Sequence, residues 1–264
     1  MADLDPIDRA RKAVTDRAEL PGMSLMEHLT ELRTRLIHSV AWVAVGVVVA
    51  YIFHTRLVAY IQRPLLDIGL KMTMTHPTDA LNFLIKTSVV CGIIIASPFV
   101  LYQVWLFISP GMYAHEKKYV VPFMAATVGL FLAGAWFGYR WVLPGAMTFL
   151  IQDIGKNFTH MITIEDYTQF FLSVILGLGI CFELPILMFF LALFGIADGK
   201  FFLRQWRYAI LIIFLISAII CPLQDPFSMC LFASPMLALY VVGVATAFLV
   251  HPDRRKAREA KTTA

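Results

Sequence analysis

A single carboxylate interrupts a long apolar run, and it is the residue in this sequence that most needs a chemical explanation. The run from Gly177 to Gly195 is apolar except for Glu183. An acid in hydrocarbon costs roughly 2.5–3.5 kcal/mol on insertion scales, so we expect Glu183 to face protein or water rather than lipid. It could act in transport directly, or it could be a protonated or hydrogen-bonded glutamate that ties two helices together. The sequence leaves both roles open.

The composition indicates that this carboxylate lies in a membrane protein. Of the 264 residues, 59% are hydrophobic and only 15% are charged, and the mean hydropathy is +0.73. The apolar residues form long runs between charged loops, which is typical of a helical bundle, whereas a β-barrel alternates residue by residue. The sequence therefore predicts an all-α integral membrane protein.

The cysteines and histidines do not form a recognisable ligand set. The cysteines lie in or beside apolar runs, without Cys-x-x-Cys pairs and without histidines at ligand spacing. They are Cys91, Cys181, Cys221 and Cys230. We expect small buried side chains here, and we predict no metal, no cofactor and no nucleic-acid partner.

The apolar runs predict six membrane spans. The first four cover about residues 37–53, 84–108, 119–142 and 167–194. Glu183 lies in the fourth of these runs.

The last two runs predict short spans. Residues 208–220 would give only about 20 Å of helix against a hydrocarbon core of about 30 Å. A second run follows the break at 221–226 and reaches about Val250. Local thinning of the bilayer would accommodate two short spans, and a re-entrant hairpin is the alternative.

Both chain ends are predicted to lie outside the membrane on the same side. We predict a flexible tail for residues 1–22, the six-span membrane domain for residues 23–250 and a basic tail for residues 251–264. Of the 22 Lys and Arg residues, sixteen fall on the side that holds both termini and six on the other. The positive-inside rule then places both termini in the cytoplasm.

The segments around the first span are predicted to position charged side chains. Ser24-Leu-Met-Glu27 is a capping box, and the leucines that follow recur at helical spacing, which predicts an amphipathic helix at the membrane surface. The loop after the first span contains Arg63-Pro64 and should be ordered, with short helices at most. Lys86, near the start of the second span, is placed to extend outward to the interface.

Four motifs occur in a specific order along the chain. They are His28-Leu-Thr-Glu-Leu-Arg-Thr-Arg-Leu36, Tyr102-Gln-Val-Trp-Leu-Phe-Ile-Ser-Pro-Gly-Met-Tyr-Ala-His-Glu-Lys-Lys118, Phe182-Glu-Leu-Pro185 and Asp225-Pro-Phe-Ser228. Together they resemble the TatC family, the receptor subunits of the twin-arginine protein translocase. The resemblance covers about Met23 to Phe248.

The resemblance implies a fold and a function. The fold would be a concave, glove-like bundle of six helices in the cytoplasmic (inner) membrane of a prokaryote. The protein would not be an enzyme; it would bind twin-arginine signal peptides at its cytoplasmic face. Together with single-span TatA/TatB-type subunits, and with self-association in a receptor complex, it would export folded proteins by using the proton-motive force.

Two carboxylates match the acidic positions through which the family is understood to bind the arginines. Glu31 lies on the surface helix and Glu116 in the turn between spans two and three. A carboxylate matches the planar fork of a guanidinium, which an ammonium cannot reproduce. The alternative for Glu31 is a helical ion pair with Arg35, and for Glu116 a solvated loop acid.

The resemblance also suggests supporting residues for the signal peptide. Arg33 and His28 would hold Glu31 in place, and Phe107, Met112 and Tyr113 would contact the peptide's apolar part. For these last three, packing within the loop and the aromatic belt at the interface is an equally good interpretation.

Four further residues are polar or structural candidates away from that surface. Pro64 matches a family position in the outer loop, where it could simply form a rigid turn. Lys86, Glu183 and Asp225 are the ionisable residues in or beside the outer halves and centres of the spans.

Two other functions are weaker alternatives. A proton-coupled secondary transporter could use Glu183 as its relay, but ionisable partners are few and the halves show no inverted repeat. An intramembrane enzyme is disfavoured because the sequence contains no Gly-x-Ser-x-Gly, His-Glu-x-x-His or paired membrane aspartates.

Overall fold

The computed structural model describes residues 25–108, 120–193, 195–220 and 225–250, which are almost entirely helical. The helices are α1 (Leu25–Ile52), α2 (His54–Leu66), α3 (Asp79–Ile108), α4 (Val120–Phe137), α5 (Leu143–Met147), α6 (Ile164–Cys181), α7 (Leu184–Leu193), α8 (Gly199–Arg204), α9 (Trp206–Ile220) and α10 (Pro226–Val250). Two short strands are β1 (Met72–Thr73) and β2 (Ile162–Thr163).

Five helical segments in the described part of the chain are long and apolar enough to cross a membrane. They are Met26–Ile52, Asp79–Phe107, Val121–Asn157, Ile164–Leu193 and Pro226–Phe248. The apolar helix α9 is shorter, with 15 residues. The prediction that both final spans are short is wrong for α10, whose 25 residues extend about 37 Å because Pro235 does not interrupt the helix.

The surface helix and the first span form one element. Helix α1 runs without a break for 28 residues, so the amphipathic stretch is not a separate helix but the beginning of the helix that forms the first span. No glycine or proline lies near the junction of Leu36 and Ile37, so no residue there ends the helix.

The chain stays helical beyond residue 142, where the sequence predicts the end of the third span. The chain continues from α4 through a π-helical turn at Gly138–Val142, through α5, through a second π-helical turn at Thr148–Ile154 and through a 3₁₀ turn at Gly155–Asn157. The helical path therefore extends well beyond Val142.

The two loops at one end of the bundle are joined by a parallel strand pair. Met72 pairs with Ile162 and Thr73 with Thr163. Nearby, the buried hydroxyl of Tyr167 donates to the carbonyl oxygen of Ile61 in α2 at 2.6 Å. We call this end the outer end, because the positive-inside rule predicts that it faces away from the cytoplasm.

The opposite end, which we call the inner end, holds the start of α1, the end of α3 and the end of α7. Trp105 of α3 meets Phe190 of α7 edge to face, with ring centroids 4.7 Å apart. The hydroxyl of Tyr240 in α10 donates to the carbonyl oxygen of Phe202 in α8 at 2.8 Å. The first contact packs α3 against α7, and the second joins α8 to the second half of α10.

Two apolar clusters form most of the core. The first surrounds α6 and includes the fully buried Val174 and Leu178 together with Phe232 of α10. The second lies between α7, α9 and α10 and is centred on Met236 and Ala233. Helix α6 therefore links the outer loops to the C-terminal helices.

Candidate functional site

The inner ends of α1 and α3 hold a partly buried carboxylate. Nη2 of Arg35 donates to Oε1 of Glu31 at 3.2 Å, and only 15% of the Glu31 side chain is exposed. Nη1 of the same arginine lies 3.4 Å from Oε1 of Gln103 in α3. The guanidinium therefore bridges α1 and α3. The helical pair that the sequence offered as the alternative for Glu31 is present in the structure.

The second carboxylate oxygen of Glu31 is shielded. Oε2 is buried, and no residue of the described ranges gives it a hydrogen bond; the same holds for Nε of Arg35. A carboxylate oxygen without a donor is costly at such a site, because it has lost water without gaining a partner. The site can therefore accept a further donor.

An aromatic stack closes one side of this site. The rings of His28 and Phe107 lie 4.4 Å apart and are inclined by 21°. Several turns deeper along the two helices, Trp42 of α1 stacks on Phe99 of α3 at 4.2 Å. The stacks lie on either side of the Arg35 bridge, so α1 and α3 run antiparallel with a defined register at their inner ends.

The other predicted signal-peptide residues have different placements. Arg33 is exposed, and Glu31 is contacted by Arg35 instead, because an i,i+4 spacing brings side chains onto the same helix face. Glu116, Met112 and Tyr113 lie outside the described residues, so their roles stay predictions. Sequence reasoning missed Gln103, although an amide in the mostly apolar second half of α3 is a usable signal.

Glu183 lies at a break in the fourth span rather than in a continuous helix. Helix α6 ends at Cys181 and α7 begins at Leu184. Pro185 has no N–H to donate, so a helical hydrogen bond to the carbonyl of Cys181 cannot form. The side chain of Glu183 is partly exposed, and its Oε1 is buried without a hydrogen-bond partner in the described part of the chain.

The outer end contains two further charged contacts. Nζ of Lys86 lies 3.3 Å from Oε1 of Glu165, and both side chains are about half exposed. Asp79, at the start of α3, is almost fully buried and accepts the backbone N–H groups of Thr75 and His76, both at 2.8 Å. These side chains line one small cavity beside α6.

Pro64 and Asp225 have structural placements. Pro64 is buried inside α2, near its C-terminal end. Asp225 caps α10, because its Oδ2 accepts the N–H of Ser228 at 2.7 Å. Its Oδ1 is buried and has no partner among the described residues.

Long apolar helices with charged groups at both ends define a multi-pass α-helical membrane protein. Comparison with known proteins narrows this class to one family. The family profile "Sec-independent protein translocase protein (TatC)" matches residues 27–235. The chain belongs to the TatC family, a family of transport proteins, which confirms the predicted resemblance and the prediction that it is not an enzyme. The alternatives of a proton-coupled transporter and an intramembrane enzyme are not supported.

Individual relatives agree over nearly the whole chain. The TatC protein of Koribacter versatilis is 48% identical and covers 97% of this chain and 96% of its own length. That of Aquifex aeolicus is 36% identical, covering 90% and 98%. A solved structure described as "Crystal Structure of Twin Arginine Translocase Receptor- TatC" superposes with a TM-score of 0.78 at 36% identity, covering 85% of this chain and 99% of the other.

Proposed function

We propose that this protein is the receptor subunit of a twin-arginine translocase and binds signal peptides at the inner ends of α1 and α3. The observation that carries the proposal is the carboxylate of Glu31, which is largely buried at 15% exposure and has one oxygen without a donor. A solved structure similar over 85% of the chain is described as such a receptor. The orientation predicted from basic residues puts this site in the cytoplasm, where export precursors are made.

The chemistry of Glu31 suits an arginine ligand. Charge-assisted hydrogen bonds to a shielded carboxylate contribute about 1.5–3 kcal/mol, whereas an exposed ion pair contributes about 0–1 kcal/mol. Glu116 would supply the second carboxylate from the turn between α3 and α4. Two such contacts bind weakly by themselves, so the peptide's apolar part also has to be buried, at roughly 0.8 kcal/mol per CH₂.

The apolar contacts would lie beside the stack of His28 and Phe107. This stack holds Phe107 next to the first turns of α1, half-buried rather than fully enclosed. Met112 and Tyr113 would extend the apolar surface in the turn that follows α3. Arg33, which is exposed on α1, would act at the edge of the site.

The membrane topology that we propose has six spans and both termini in the cytoplasm. Helix α9 would be the fifth span, because the long helix α10 follows it and packs back on it: Oγ of Ser217 contacts Sδ of Met236 at 3.6 Å. The bundle would form a concave, glove-like surface in the cytoplasmic membrane of a prokaryote. Single-span TatA/TatB-type subunits and further copies of this chain would assemble around it.

Glu183 would act after the signal peptide has bound. Beside the helix break its side chain is partly exposed, and within the membrane it could accept a polar contact from a partner helix or draw water into the bilayer. Transport of folded cargo would be driven by the proton-motive force.

The test is site-specific crosslinking of a twin-arginine precursor to membranes that contain the Glu31→Gln/Glu116→Gln variant. We expect normal insertion and loss of the crosslink, because an amide cannot form the charged fork contact. The exposed acid Asp67 offers a matched control, and Asp67→Asn should crosslink normally. Undiminished crosslinking to the double variant would contradict the assignment of these two carboxylates.

A further inference from the structure

The carboxylate proposed to bind a signal-peptide arginine is already covered by an arginine of the same chain. Arg35 contacts Oε1 of Glu31 at 3.2 Å, while Oε2 is closed off from solvent. Only 15% of the glutamate side chain is exposed, against 29% for Arg35. A ligand cation that binds this carboxylate therefore has to compete with Arg35 for Oε1.

The contact between the two side chains is a weak form of an arginine–carboxylate pair. It joins one guanidinium nitrogen to one oxygen, although the fork of a guanidinium can bond both oxygens of a carboxylate at once. The second nitrogen of Arg35 is directed to the amide oxygen of Gln103 at 3.4 Å. Arg35 thus divides its donors between α1 and α3, and Glu31 retains an unused oxygen.

We propose that Arg35 is a specificity-determining residue that sets the affinity threshold of this site. The inference rests on the proposed role of Glu31. Any ligand cation has to displace Arg35 from Glu31 before it can bind there. Gln103 remains as a partner for the displaced guanidinium, so that Arg35 does not lose all of its hydrogen bonds when the carboxylate is taken.

The need to displace Arg35 discriminates between the two cationic side chains that a peptide can present, arginine and lysine. A ligand guanidinium can bond both carboxylate oxygens and so replaces one hydrogen bond with two. A lysine ammonium is a single point of charge, and it exchanges one contact for one. Replacement of Arg35 by a ligand arginine is therefore favourable. Replacement by a ligand lysine gains no hydrogen bond that would offset the displacement of Arg35. A Lys-Lys peptide therefore stays off Glu31 and binds only through its apolar part.

The experiment measures Kd for two synthetic signal peptides that differ only in an Arg-Arg or Lys-Lys pair. The full-length protein is held in lipid nanodiscs, as wild type, Arg35→Gln, Glu31→Gln and the double variant. In the wild type, we expect Lys-Lys binding to be insensitive to Glu31→Gln. In the Arg35→Gln background, it should become sensitive, and Arg-Arg binding should tighten by about tenfold.

Two controls separate this role from a change in charge or in folding. Arg204, an exposed cation of α8, provides a matched loss of charge, and Arg204→Gln should leave both Kd values unchanged. Arg35→Lys keeps a cation beside Glu31 but removes the fork that reaches Gln103. Arg35→Lys should tighten Arg-Arg binding by about threefold. It replaces Arg35→Gln in the experiment if Arg35→Gln does not fold.

The possible outcomes are distinct. Unchanged or weaker Arg-Arg binding by folded Arg35→Gln or Arg35→Lys would overturn the role of Arg35, because a merely structural residue would behave in that way. Lys-Lys binding that stays insensitive to Glu31 in the Arg35→Gln background would also overturn it. If Glu31→Gln leaves Arg-Arg binding intact in the wild-type background, the proposed function of Glu31 itself fails instead.

Discussion

Gly46 of α1 and Gly92 of α3 lie directly opposite each other where the two helices cross. A Cβ atom placed on Gly46 would overlap the carbonyl oxygen of Gly92, and one placed on Gly92 would lie 2.6 Å from the backbone nitrogen of Val47. Both obstacles are backbone atoms, which cannot rotate away. Small residues of this kind let membrane helices approach closely and pack without a hydrophobic driving force.

We predict that Gly92→Ala destabilises the protein by about 1–3 kcal/mol, because the added methyl group has to separate α1 from α3. Thermal unfolding in detergent would measure the loss. Gly129→Ala is the matched control, since a Cβ at Gly129 meets nothing within 4 Å. It should be neutral or slightly stabilising. Equal unfolding temperatures for Gly92→Ala and the wild type would contradict the close packing.

The turn that precedes α3 depends on Asp79. Its Oδ2 also accepts the hydroxyl of Thr75 at 3.0 Å, in addition to the two backbone N–H groups. We expect Asp79→Ala to lower the free energy of unfolding by about 1–3 kcal/mol, because the three hydrogen bonds from Thr75 and His76 would be lost. Chemical unfolding in micelles checks this value. The exposed Asp67 is the control, and Asp67→Ala should stay within about 0.5 kcal/mol of the wild type.

The ion pair between Lys86 and Glu165 should contribute little to stability. Both side chains are about half exposed, and pairs of this kind contribute about 0–1 kcal/mol. A double-mutant cycle with Lys86→Gln and Glu165→Gln should therefore give a coupling energy below about 1 kcal/mol. A larger coupling would show that lipid or the adjacent loops shield this pair from water.

Substitution of Glu183 should separate binding from transport. We expect Glu183→Ala to keep signal-peptide crosslinking and to reduce export of a folded precursor, because a polar contact within the membrane is lost. Glu183→Gln retains hydrogen-bonding capacity and should export more than Glu183→Ala. Both activities would be measured in the same inverted membrane vesicles.

The outcome that contradicts this role is also clear. If Glu183→Ala loses crosslinking and unfolds at a lower temperature, the residue is structural. The carboxylate would then be the helix-tying glutamate that the sequence allowed as an alternative.

The long helices were predictable because apolar runs of sufficient length can satisfy their backbone only as helices in a membrane. Where the prediction was wrong, no local signal existed. Leu36 and Ile37 belong to different predicted segments, yet no residue there interrupts a helix. The segment after Val142 contains Pro144, and a proline in the first turn of α5 is compatible with a helix that continues past it.

The candidate site was predictable only in part. The resemblance to a known family singled out Glu31 and His28, and helical spacing predicted the pair of Glu31 with Arg35. The contact between Arg35 and Gln103 could not be foreseen, because it depends on the register of α1 against α3. That register is set by packing between distant segments, which a single sequence does not encode locally.

The pairing of β1 with β2 imposes an order on the assembly of this protein. β1 is synthesised long before β2, and two further spans must enter the membrane before the strands can meet. Until then, Ile61 also lacks the hydroxyl of Tyr167, which arrives just after β2. The outer end can therefore close only when the second and third spans have been inserted in the correct orientation. A chain released early would be left with β1 unpaired at the outer end.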